Sequence, residues 1–382
     1  MSSASTKPRS ANGVSQPQNW VGFKEVLSEE AFRRMISLER KRSERTQRPF
    51  ALLLIDAGCS QLCDKQGRVW LDILSALQGA IRETDVTGWY TTNSVVGVVF
   101  TEIVLDNNPV LSTILSRIRA LLRDGLDADQ FSRIKFSFLV FPDDWDSQNS
   151  ERPSNPTLYP DIEKRQESNR LGRATKRLID VLGSLSLLAI LSPVFFIVAA
   201  AIKLTSRGPV LFRQKRIGEH GTPFTFLKFR SMYINNDSSE HKEYVRQLIA
   251  GQAEKKSANG NGESVFKLTN DPRITPLGRI LRRLSLDELP QLINVLRGEM
   301  SLVGPRPPIR YEVEAYEVWH RLRLLEAKPG ITGLWQVSGR SRVKFDDMVR
   351  LDLQYARNWS LWLDIIILLR TPAAVLFGEG AH

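Results

Sequence analysis

The chain has few residues that could form disulfides or a metal cluster: two cysteines and four histidines among 382 residues. Two cysteines exclude a disulfide scaffold and suit a reducing compartment. Cys59 and Cys63 have CxxxC spacing, but no histidine lies near them, so two small half-buried side chains are favoured over a zinc site. The first 19 residues also lack the apolar core of a signal peptide, which predicts that the N-terminal half stays in the cytoplasm.

Residues 1–170 carry no net charge, and the whole positive excess of the chain lies in residues 171–382. Residues 1–170 hold 22 Lys and Arg against 22 Asp and Glu, whereas residues 171–382 hold 31 against 20. A basic half indicates a phosphate-bearing substrate or an anionic lipid surface. Nucleic acid is the rival interpretation, but basic and aromatic residues are not interleaved and no DNA-reading motif is present, so no nucleic-acid partner is expected.

Composition divides the chain into two domains with a linker between them. Residues 1–20, rich in Ser, Pro, Asn and Gln, are typical of disorder. Residues 21–145 read α-β-α-β-β-α-β, which predicts a compact α+β domain with helices on one face of an antiparallel sheet. Residues 146–172 are polar and dotted with proline, as linkers are. Residues 173–382 form the second domain, in which residues 235–264 are predicted to be a mobile loop.

One stretch is long and apolar enough to cross a membrane. Val181–Ile202 contains 22 uncharged residues, and about 20 apolar residues span a bilayer as a helix. Pro193 breaks or kinks a helix, and Ser192 can bond a freed carbonyl. The halves on either side, about 12 and 9 residues, are too short to cross, and both flanks are basic. A re-entrant hairpin over residues 178–204 is favoured, with a single transmembrane helix as the alternative.

The C-terminal stretch NWSLWLDIIILLRTPAAVLF carries a second membrane signal. Trp359 and Trp362 stand beside an apolar run that contains Asp364 and Arg370. Such a helix suits the membrane interface, where tryptophan lies at headgroup level. A buried core helix fits the same pattern equally well.

The stretch RRLSLDELPQLINVLRGEMSLVGPRP contains an adjacent acid pair, Asp287 and Glu288. Pro290 is tolerated only near a first helical turn, so a helix should begin around residues 285–287 and place the pair at its positive end. The alternative is structural: Ser285 and Glu288 match a capping box. The predicted buried stripe of this helix consists of Leu289, Leu292, Ile293 and Leu296.

Cations on short Gly- and Pro-bearing turns accompany the acid pair in this half of the chain. They are Lys228, Arg230, Arg282, Arg283, Arg306 and Arg340. Cations around ionised acids, with a metal ion to offset the acids, are what a phosphate-transferring site needs. Any one of them alone is more often a solvated surface charge.

Four stretches, in order, resemble the bacterial sugar transferase family, the monotopic polyprenyl-phosphate phosphoglycosyl transferases. The resemblance covers about residues 176–376. The stretches are KRLIDVLGSLSLLAILSPVFF, LFRQKRIGEHGTPFTFLKFRSM, DPRITPLGRILRRLSLDELPQLINVLRGEMSLVGPRP and KPGITGLWQVSGRS.

The resemblance implies transfer of a sugar-1-phosphate from a UDP-sugar to undecaprenyl phosphate, with Mg²⁺ as cofactor and UMP as product. Asp287 falls on the family nucleophile, which forms an aspartyl-phosphosugar intermediate, and Glu288 on the residue that holds Mg²⁺. Ser192 and Pro193 fall on the turn of the family's re-entrant helix. The candidate substrate-binding residues are Lys228, Arg230, Arg282, Arg306 and Arg340.

The same resemblance implies a location and a pathway. The chain is expected to be monotopic on the cytoplasmic face of the cell inner membrane, in contact with membrane lipid, and to begin exopolysaccharide, capsule or O-antigen synthesis. GITGLWQVSGRS and LDLQYARNWSLWLDI look more like members that use UDP-glucose or UDP-galactose than those that use N-acetylated sugars. A homodimer is left open.

Residues 50–141 resemble GGDEF-type diguanylate cyclase domains more modestly. Where that family carries Gly-Gly-Asp/Glu-Glu-Phe, this chain reads Thr91-Thr92-Asn93-Ser94-Val95, without a carboxylate. A metal-dependent cyclase needs those acids, so the domain is predicted to be degenerate and non-catalytic. The expected fold is therefore α+β: a GGDEF-like domain with a ferredoxin-like sheet, then the re-entrant hairpin and a mainly helical transferase domain.

Two other functions remain as alternatives. A membrane-anchored nucleotide sensor would bind a cyclic dinucleotide in the first domain, although the missing acids at residues 91–95 count against it. A catalytically inactive scaffold for polysaccharide assembly is disfavoured by the intact acid pair.

Overall fold

The computed structural model describes most of the chain. The described residues are 26–57, 68–101, 103, 109–142, 156–233, 239–252, 256–257, 264–265, 273–339 and 343–376. The predictions for Cys59, Cys63, Arg340 and residues 1–20 lie outside them.

Helices and strands both contribute to the fold, which confirms the predicted mixture of the two. The helices are α1 (Glu29–Thr46), α2 (Arg68–Ala80), α3 (Pro109–Gly125), α4 (Ala128–Arg133), α5 (Pro160–Ser168), α6 (Arg170–Ile190), α7 (Ser192–Thr205), α8 (Ser239–Ile249), α9 (Pro276–Arg283), α10 (Gln291–Arg297), α11 (Arg310–Glu314), α12 (Val318–Glu326), α13 (Leu334–Ser338), α14 (Phe345–Arg357) and α15 (Leu361–Leu376). The strands are β1 (Phe50–Asp56), β2 (Val86–Thr91), β3 (Val95–Phe100), β4 (Lys135–Phe141), β5 (Leu211–Ile217), β6 (Pro223–Phe229), β7 (Lys256–Ser257), β8 (Ser264–Val265), β9 (Ser301–Val303) and β10 (Gly330–Thr332).

The N-terminal elements follow the predicted order, with the short helix α4 as an addition. Four strands form a sheet in the order β2-β3-β1-β4, and β2 pairs with β3 antiparallel. The predicted turn between these two strands is present, and Asn93 adopts a positive φ of 57° within it. Asparagine tolerates this left-handed conformation better than most residues, which explains its place in a tight turn.

The chain divides into two compact units. One lies within residues 1–32 and 52–138, and the other within residues 33–51 and 139–382. The domain boundaries expected from composition stay a prediction.

Two stretches that composition assigns to a linker and a mobile loop contain helices. Helix α5 lies within residues 156–172 and begins at Pro160, a position where proline costs a helix nothing. A residue of α1 stabilises its position: Arg40 donates to both carboxylate oxygens of Asp161 at 3.1 and 3.0 Å. Helix α8 lies within residues 235–264 and buries Val245 and Ile249. Tertiary contacts thus accompany helices in two segments whose polar composition predicts no secondary structure.

The apolar stretch forms two helices, α6 and α7, which meet at an angle of 62°. Leu191 separates them, and Ser192 Oγ donates to the carbonyl of Ala189 at 2.8 Å. The predicted break at Ser192 and Pro193 is therefore present. In the described part of the chain, no single helix has the length and apolar composition to cross a membrane, whereas the bent pair taken together has both.

Polar side chains of α6 bind the helix to the rest of the unit, beside the apolar contact of Leu188 with the core. Asp180 is buried and accepts from Ser301 Oγ at 3.0 Å and from the amide of Leu302 at 2.9 Å. Arg177 donates to the carbonyls of Val295 and Leu296 at 2.6 and 2.8 Å, at the C-terminal end of α10. These bonds fix α6 against α10 and β9.

The opposite surface of the bent pair is apolar and exposed. Ile190 is 72% exposed, Phe196 77% and Leu204 87%. Several large apolar side chains exposed on one helix pair are typical of a contact with lipid or with another protein.

Helix α15 has features of both predicted alternatives for the C-terminal stretch, a buried core helix and a helix at the membrane interface. Ile367 is fully buried, whereas Trp362 is 67% exposed. Asp364 is buried at the start of the helix, where it contacts Lys176 Nζ at 2.6 Å and the hydroxyl of Tyr355 at 2.6 Å. One face of α15 thus packs in the core, where Lys176 neutralises Asp364, and the other face is exposed and apolar.

Candidate active site

The acid pair lies in a short 3₁₀ turn, Leu286–Glu288, directly before α10. Ser285 precedes it in a left-handed conformation with φ of 55° and makes no side-chain capping bond. The capping-box alternative is therefore wrong. The predicted helix start was close in position, but the first turn is 3₁₀ and the α-helix begins only at Gln291.

The buried side of α10 differs in part from the predicted stripe. Leu292 is buried as predicted, whereas Leu289, Ile293 and Leu296 are half-buried. Val295 and Asn294 are fully buried in addition.

Asn294 connects α10 to the hairpin of β5 and β6. Its side chain accepts from the amide of Leu227 at 3.1 Å and donates to the carbonyl of Thr225 at 2.7 Å. Because both contacts lie on β6, Asn294 sets the position of the following residue, Lys228, relative to the acid pair. The sequence reading missed this role; its only signal was a polar residue within an apolar helical stripe.

Lys228 brings the two carboxylates together. Its Nζ lies 2.7 Å from Glu288 Oε1 and 3.6 Å from Asp287 Oδ2. The ammonium also lies 5.6 Å from the ring centroid of Phe226, on the same strand. One cation thus contacts both members of the predicted dyad.

The two carboxylates have different proton affinities. Burial is the largest influence on Asp287 and raises its pKa; Lys228 and Arg282 oppose the rise, and Glu288 adds to it. Burial raises the pKa of Glu288 as well, but the charge and hydrogen bond of Lys228, with the charge of Arg306, outweigh burial and leave that pKa below its usual value. Adjacent acids with pKa values displaced in opposite directions are typical of sites where each acid has its own role.

Arg216 on β5 is a site residue that the sequence reading missed. It is 5% exposed, donates from Nη1 to the carbonyl of Pro307 at 2.6 Å, and lies 4.2 Å over the ring of Phe226. Burial lowers its pKa to about 10, so the guanidinium stays charged at neutral pH. Its charge lowers the pKa of Glu288. Because Arg216 is one of several cations on a basic strand, the sequence did not indicate that it would interact with Glu288.

The loop that carries Arg306 is fixed by its neighbours. The amide of Gly304 donates to Thr332 at 2.8 Å, and the amide of Gly330 donates to Pro305 at 2.8 Å. A Cβ at Gly304 would come within 2.2 Å of the carbonyl of Lys328, so only glycine fits there. The exposed side chain of Arg306 therefore projects from a rigid loop close to the acid pair.

The remaining candidate residues have different surroundings. Arg282 lies in the last turn of α9, and its charge lowers the pKa of Asp287. Arg230 is buried, and its guanidinium donates to the carbonyls of Ser206 and Arg207 and to the hydroxyl of Ser206, at 2.7 to 2.9 Å. Arg230 thus holds the end of α7 to β6, and its predicted role in substrate binding stays a prediction.

The carboxylates of the acid pair are suited to a Mg²⁺ ion whose remaining ligands come from the substrate. Among the described residues, no group of three or more Asp, Glu, His or Cys could hold a metal ion by itself. Mg²⁺ is usually bound by one or two carboxylates together with substrate phosphates rather than by an all-protein cage. Asp287 and Glu288 supply such carboxylates beside several cations.

Comparison with known proteins gives consistent matches for the second half of the chain. The model of the family described as bacterial sugar transferase matches residues 171–378. Undecaprenyl-phosphate galactose phosphotransferase of Salmonella typhimurium is 44% identical over 217 residues, which are 56% of this chain and 43% of that protein. Exopolysaccharide production protein ExoY of Rhizobium meliloti is 41% identical over 212 residues, 56% of this chain and 90% of that protein. UDP-glucose:undecaprenyl-phosphate glucose-1-phosphate transferase of Caulobacter vibrioides is 40% identical over 218 residues, 54% of this chain and 72% of that protein.

The match to the Salmonella protein therefore covers less than half of that protein's length. Among solved structures, a DGC protein from Thermotoga maritima is similar to 31% of this chain and 85% of its own, with 16% identity and a TM-score of 0.25. A similarity at that level supports no conclusion, and the GGDEF-like nature of the first domain stays a prediction.

Proposed function

The chain belongs to the bacterial sugar transferase family, and from that premise we propose that it transfers a sugar-1-phosphate from a UDP-sugar to undecaprenyl phosphate and releases UMP. The observation that carries the proposal is the contact of one lysine, Lys228, with both Asp287 and Glu288. This arrangement supplies a carboxylate nucleophile and cations for phosphate oxygens in one place.

The reaction proceeds in two displacements. An oxygen of Asp287 forms a bond to the sugar-bearing phosphorus as the bond from that phosphorus to the UMP oxygen breaks. A phosphate oxygen of the lipid then attacks the same phosphorus and releases the Asp287 carboxylate. Dividing the transfer in this way lets one small site serve a soluble donor and a lipid acceptor in turn.

The neighbouring residues hold charges in place for both displacements. Lys228 contacts both carboxylates and favours their ionised forms, and Arg306 and Arg282 would contact phosphate oxygens. Glu288 would hold Mg²⁺, with Asp287 adjacent. When bound, the ion offsets the negative charge of the diphosphate and so lowers the barrier to attack by a carboxylate.

The donor is proposed to carry glucose or galactose, and the product to begin an exopolysaccharide, capsule or O-antigen. Relatives named for galactose and glucose transfer support a hexose donor. The test is UMP release from the purified full chain with undecaprenyl phosphate and a panel of UDP-glucose, UDP-galactose, UDP-N-acetylglucosamine and UDP-N-acetylgalactosamine. Turnover with at least one of the two unmodified hexoses is expected; turnover with the N-acetylated sugars alone contradicts the proposed donor, and turnover with none contradicts the function.

We also propose that α6 and α7 form a re-entrant hairpin in the cytoplasmic leaflet of the inner membrane, so that the chain is monotopic. The bend at Ser192 and Pro193, the exposed apolar surface and the basic flanks support this placement. A hairpin of this kind would bring Asp287 to the plane of the lipid phosphates.

Cysteine labelling tests the hairpin. Single cysteines replace Arg170 or Arg207, at the two ends of the helix pair, in a chain whose Cys59 and Cys63 are serine. We expect neither to react with a membrane-impermeant maleimide in intact spheroplasts and both to react after permeabilisation, as does the control Arg350→Cys on α14. Reaction of one end before permeabilisation would mean that the segment crosses the membrane.

We propose that the first domain is a non-catalytic module that regulates the enzyme or mediates its oligomerisation as a homodimer. The turn at residues 91–95 lacks the carboxylates that a cyclase needs for its metal ions.

A further inference from the structure

A basic cavity of about 150 Å³ is lined by Arg177, which binds carbonyls at the C-terminal end of α10, whereas the acid pair precedes the N-terminal end of that helix. Neither Asp287 nor Glu288 lines the cavity, so it is separate from the candidate active site. Its walls come from α5, α6, α12 and α14, from the segments that follow the last two helices, and from Glu219 in the turn between β5 and β6. Six cations line it: Arg165, Arg173, Lys176, Arg177, Lys328 and Arg357.

Two of these cations are fixed by short bonds. Lys176 lies 2.6 Å from the buried Asp364, and Arg177 donates to two carbonyls of α10. Both therefore hold positive charge at a constant position in the wall, without depending on solvent or ligand.

The other four cations are held only loosely by acids of the wall. Arg173 and Lys328 lie 3.5 and 3.9 Å from Glu219. Arg165 and Arg357 lie 3.6 and 3.5 Å from Glu326, whose side chain is 6% exposed. Charge-assisted hydrogen bonds are usually about 2.7–2.9 Å long. These longer separations leave N–H groups that can also donate to a second, incoming acceptor.

The charge around the cavity favours an anion. Three acids, Asp180, Glu219 and Glu326, line it against the six cations, and a fourth acid behind the wall, Asp364, offsets Lys176, so cations remain in excess. Asp180 is already bound to the hydroxyl of Ser301 and the amide of Leu302. Multiple arginine and lysine donors around a small space are well suited to the oxygens of a phosphate group.

The position of the cavity indicates where that phosphate comes from. Arg173, Lys176 and Arg177 lie on α6 between the exposed Leu171 and the series of exposed apolar residues that starts with Leu178, which is 58% exposed. Trp359 also lines the cavity, and tryptophan is enriched at the level of lipid headgroups. Basic pockets beside membrane helices on the cytoplasmic side are a known way of binding anionic headgroups.

We propose that this cavity binds the phosphate group of an anionic membrane phospholipid, separately from the lipid acceptor at the active site. The inference rests on the proposed membrane placement of α6 and α7. It does not depend on sugar-phosphate transfer. A bound lipid phosphate would hold the base of the hairpin at headgroup level.

Direct binding to the purified, detergent-solubilised full chain tests the proposal, since it needs neither turnover nor a bilayer. Dioctanoyl phosphatidylglycerol, dioctanoyl phosphatidylcholine and inorganic phosphate are titrated separately by calorimetry. The test variant is Arg173→Gln with Lys328→Gln, which removes two loosely held cations and keeps the fixed ones. The control, Arg170→Gln with Arg350→Gln, changes net charge equally at two exposed positions outside the cavity.

We expect the wild-type chain and the control to bind phosphatidylglycerol alike, and the test variant to bind it at least about tenfold more weakly. Phosphatidylcholine is expected to bind more weakly than phosphatidylglycerol, because its choline cation meets a basic wall. Equal affinity of the test variant and the control overturns the proposal. Binding of inorganic phosphate as tight as that of the lipid overturns the assignment to a lipid, since the cavity would then be a small-anion site. Loss of UMP release with lipid binding retained would contradict the transferase function but not this site.

Discussion

Replacement of Asp287 by asparagine is expected to reduce UMP release by about a thousandfold or more, as loss of a nucleophile does in other covalent enzymes. The amide has nearly the shape of the carboxylate but carries no negative charge and is a poor nucleophile. Glu288 keeps its bond to Lys228 at 2.7 Å, so the turn before α10 should persist. The measurement is UMP release from the preferred UDP-sugar with undecaprenyl phosphate at saturating Mg²⁺.

A second measurement separates a lost nucleophile from weakened binding. Donor labelled with ³²P in the sugar-bearing phosphate is incubated without acceptor, and protein-bound label is measured after denaturation. The wild-type chain should retain label and Asp287→Asn should not. The control is Asp347→Asn, the same change at an exposed carboxylate paired with Arg350 on α14. Wild-type turnover by Asp287→Asn, or equal labelling of that variant, would remove Asp287 from the proposed reaction.

Replacement of Arg323 by methionine is expected to cost about 3–5 kcal/mol of stability, because it leaves a buried charge without its partner. Arg323 and Asp352 are 2% and 1% exposed, and their Nη2 and Oδ2 atoms lie 2.7 Å apart. Arg323 also donates to the carbonyl of Arg306 at 3.0 Å, so the loop that carries a candidate substrate ligand should loosen as well. Thermal unfolding followed by tryptophan fluorescence should show a midpoint lower by roughly 10 °C.

The pH dependence identifies the unpaired carboxylate as the cause. Burial raises the pKa of Asp352 to about 6 even with Arg323 present, against about 3.9 for an unfolded chain. Without Arg323 that pKa rises further. Above about pH 4 the unfolded chain has lost this proton, so stability falls with pH until the folded state loses it too. In the wild-type chain that happens near pH 6 and in the variant at a higher pH, so the deficit should be smallest below about pH 6, grow above it, and level off once the pH exceeds the variant's folded-state pKa.

Two comparisons control this prediction. Arg350→Met removes an exposed arginine whose pair with Asp347 is worth about 0–1 kcal/mol, and should change the midpoint little. The double variant Arg323→Met with Asp352→Leu should recover most of the loss, since it removes both charges. A pH-independent deficit, or no recovery in the double variant, would assign the loss to packing.

Features set by neighbouring residues were predictable from the sequence. The bend at Ser192 and Pro193 follows from a proline that cannot continue a hydrogen-bonded helix. The turn between β2 and β3 follows from polar residues between two apolar runs. Pro290 restricted where the acid pair could stand relative to α10, although the 3₁₀ form of the turn was not foreseen.

Composition was a poor guide wherever a distant partner decides the structure. Helix α5 stands where polar, proline-containing sequence predicts a linker, because Ile162 is buried and Asp161 pairs with Arg40, 121 residues away in sequence. Arg230 looked like any other basic candidate, yet its donors are bonded to the end of α7. Arg216 gave no signal of its role beside the acid pair, and Asn294 gave only that of a polar residue within an apolar helical stripe.

The sequence by itself determined the family, the acid pair and the break in the apolar segment, since each is encoded by residues adjacent in the chain. Only the tertiary structure decided which cation contacts that pair: Lys228 reaches Glu288 across 60 residues of sequence. It likewise decided that Lys176 neutralises Asp364 across 188 residues and that six cations surround one cavity. The physical reason is that charges interact through space over a few ångströms, and proximity in space between residues far apart in sequence arises only when the chain packs.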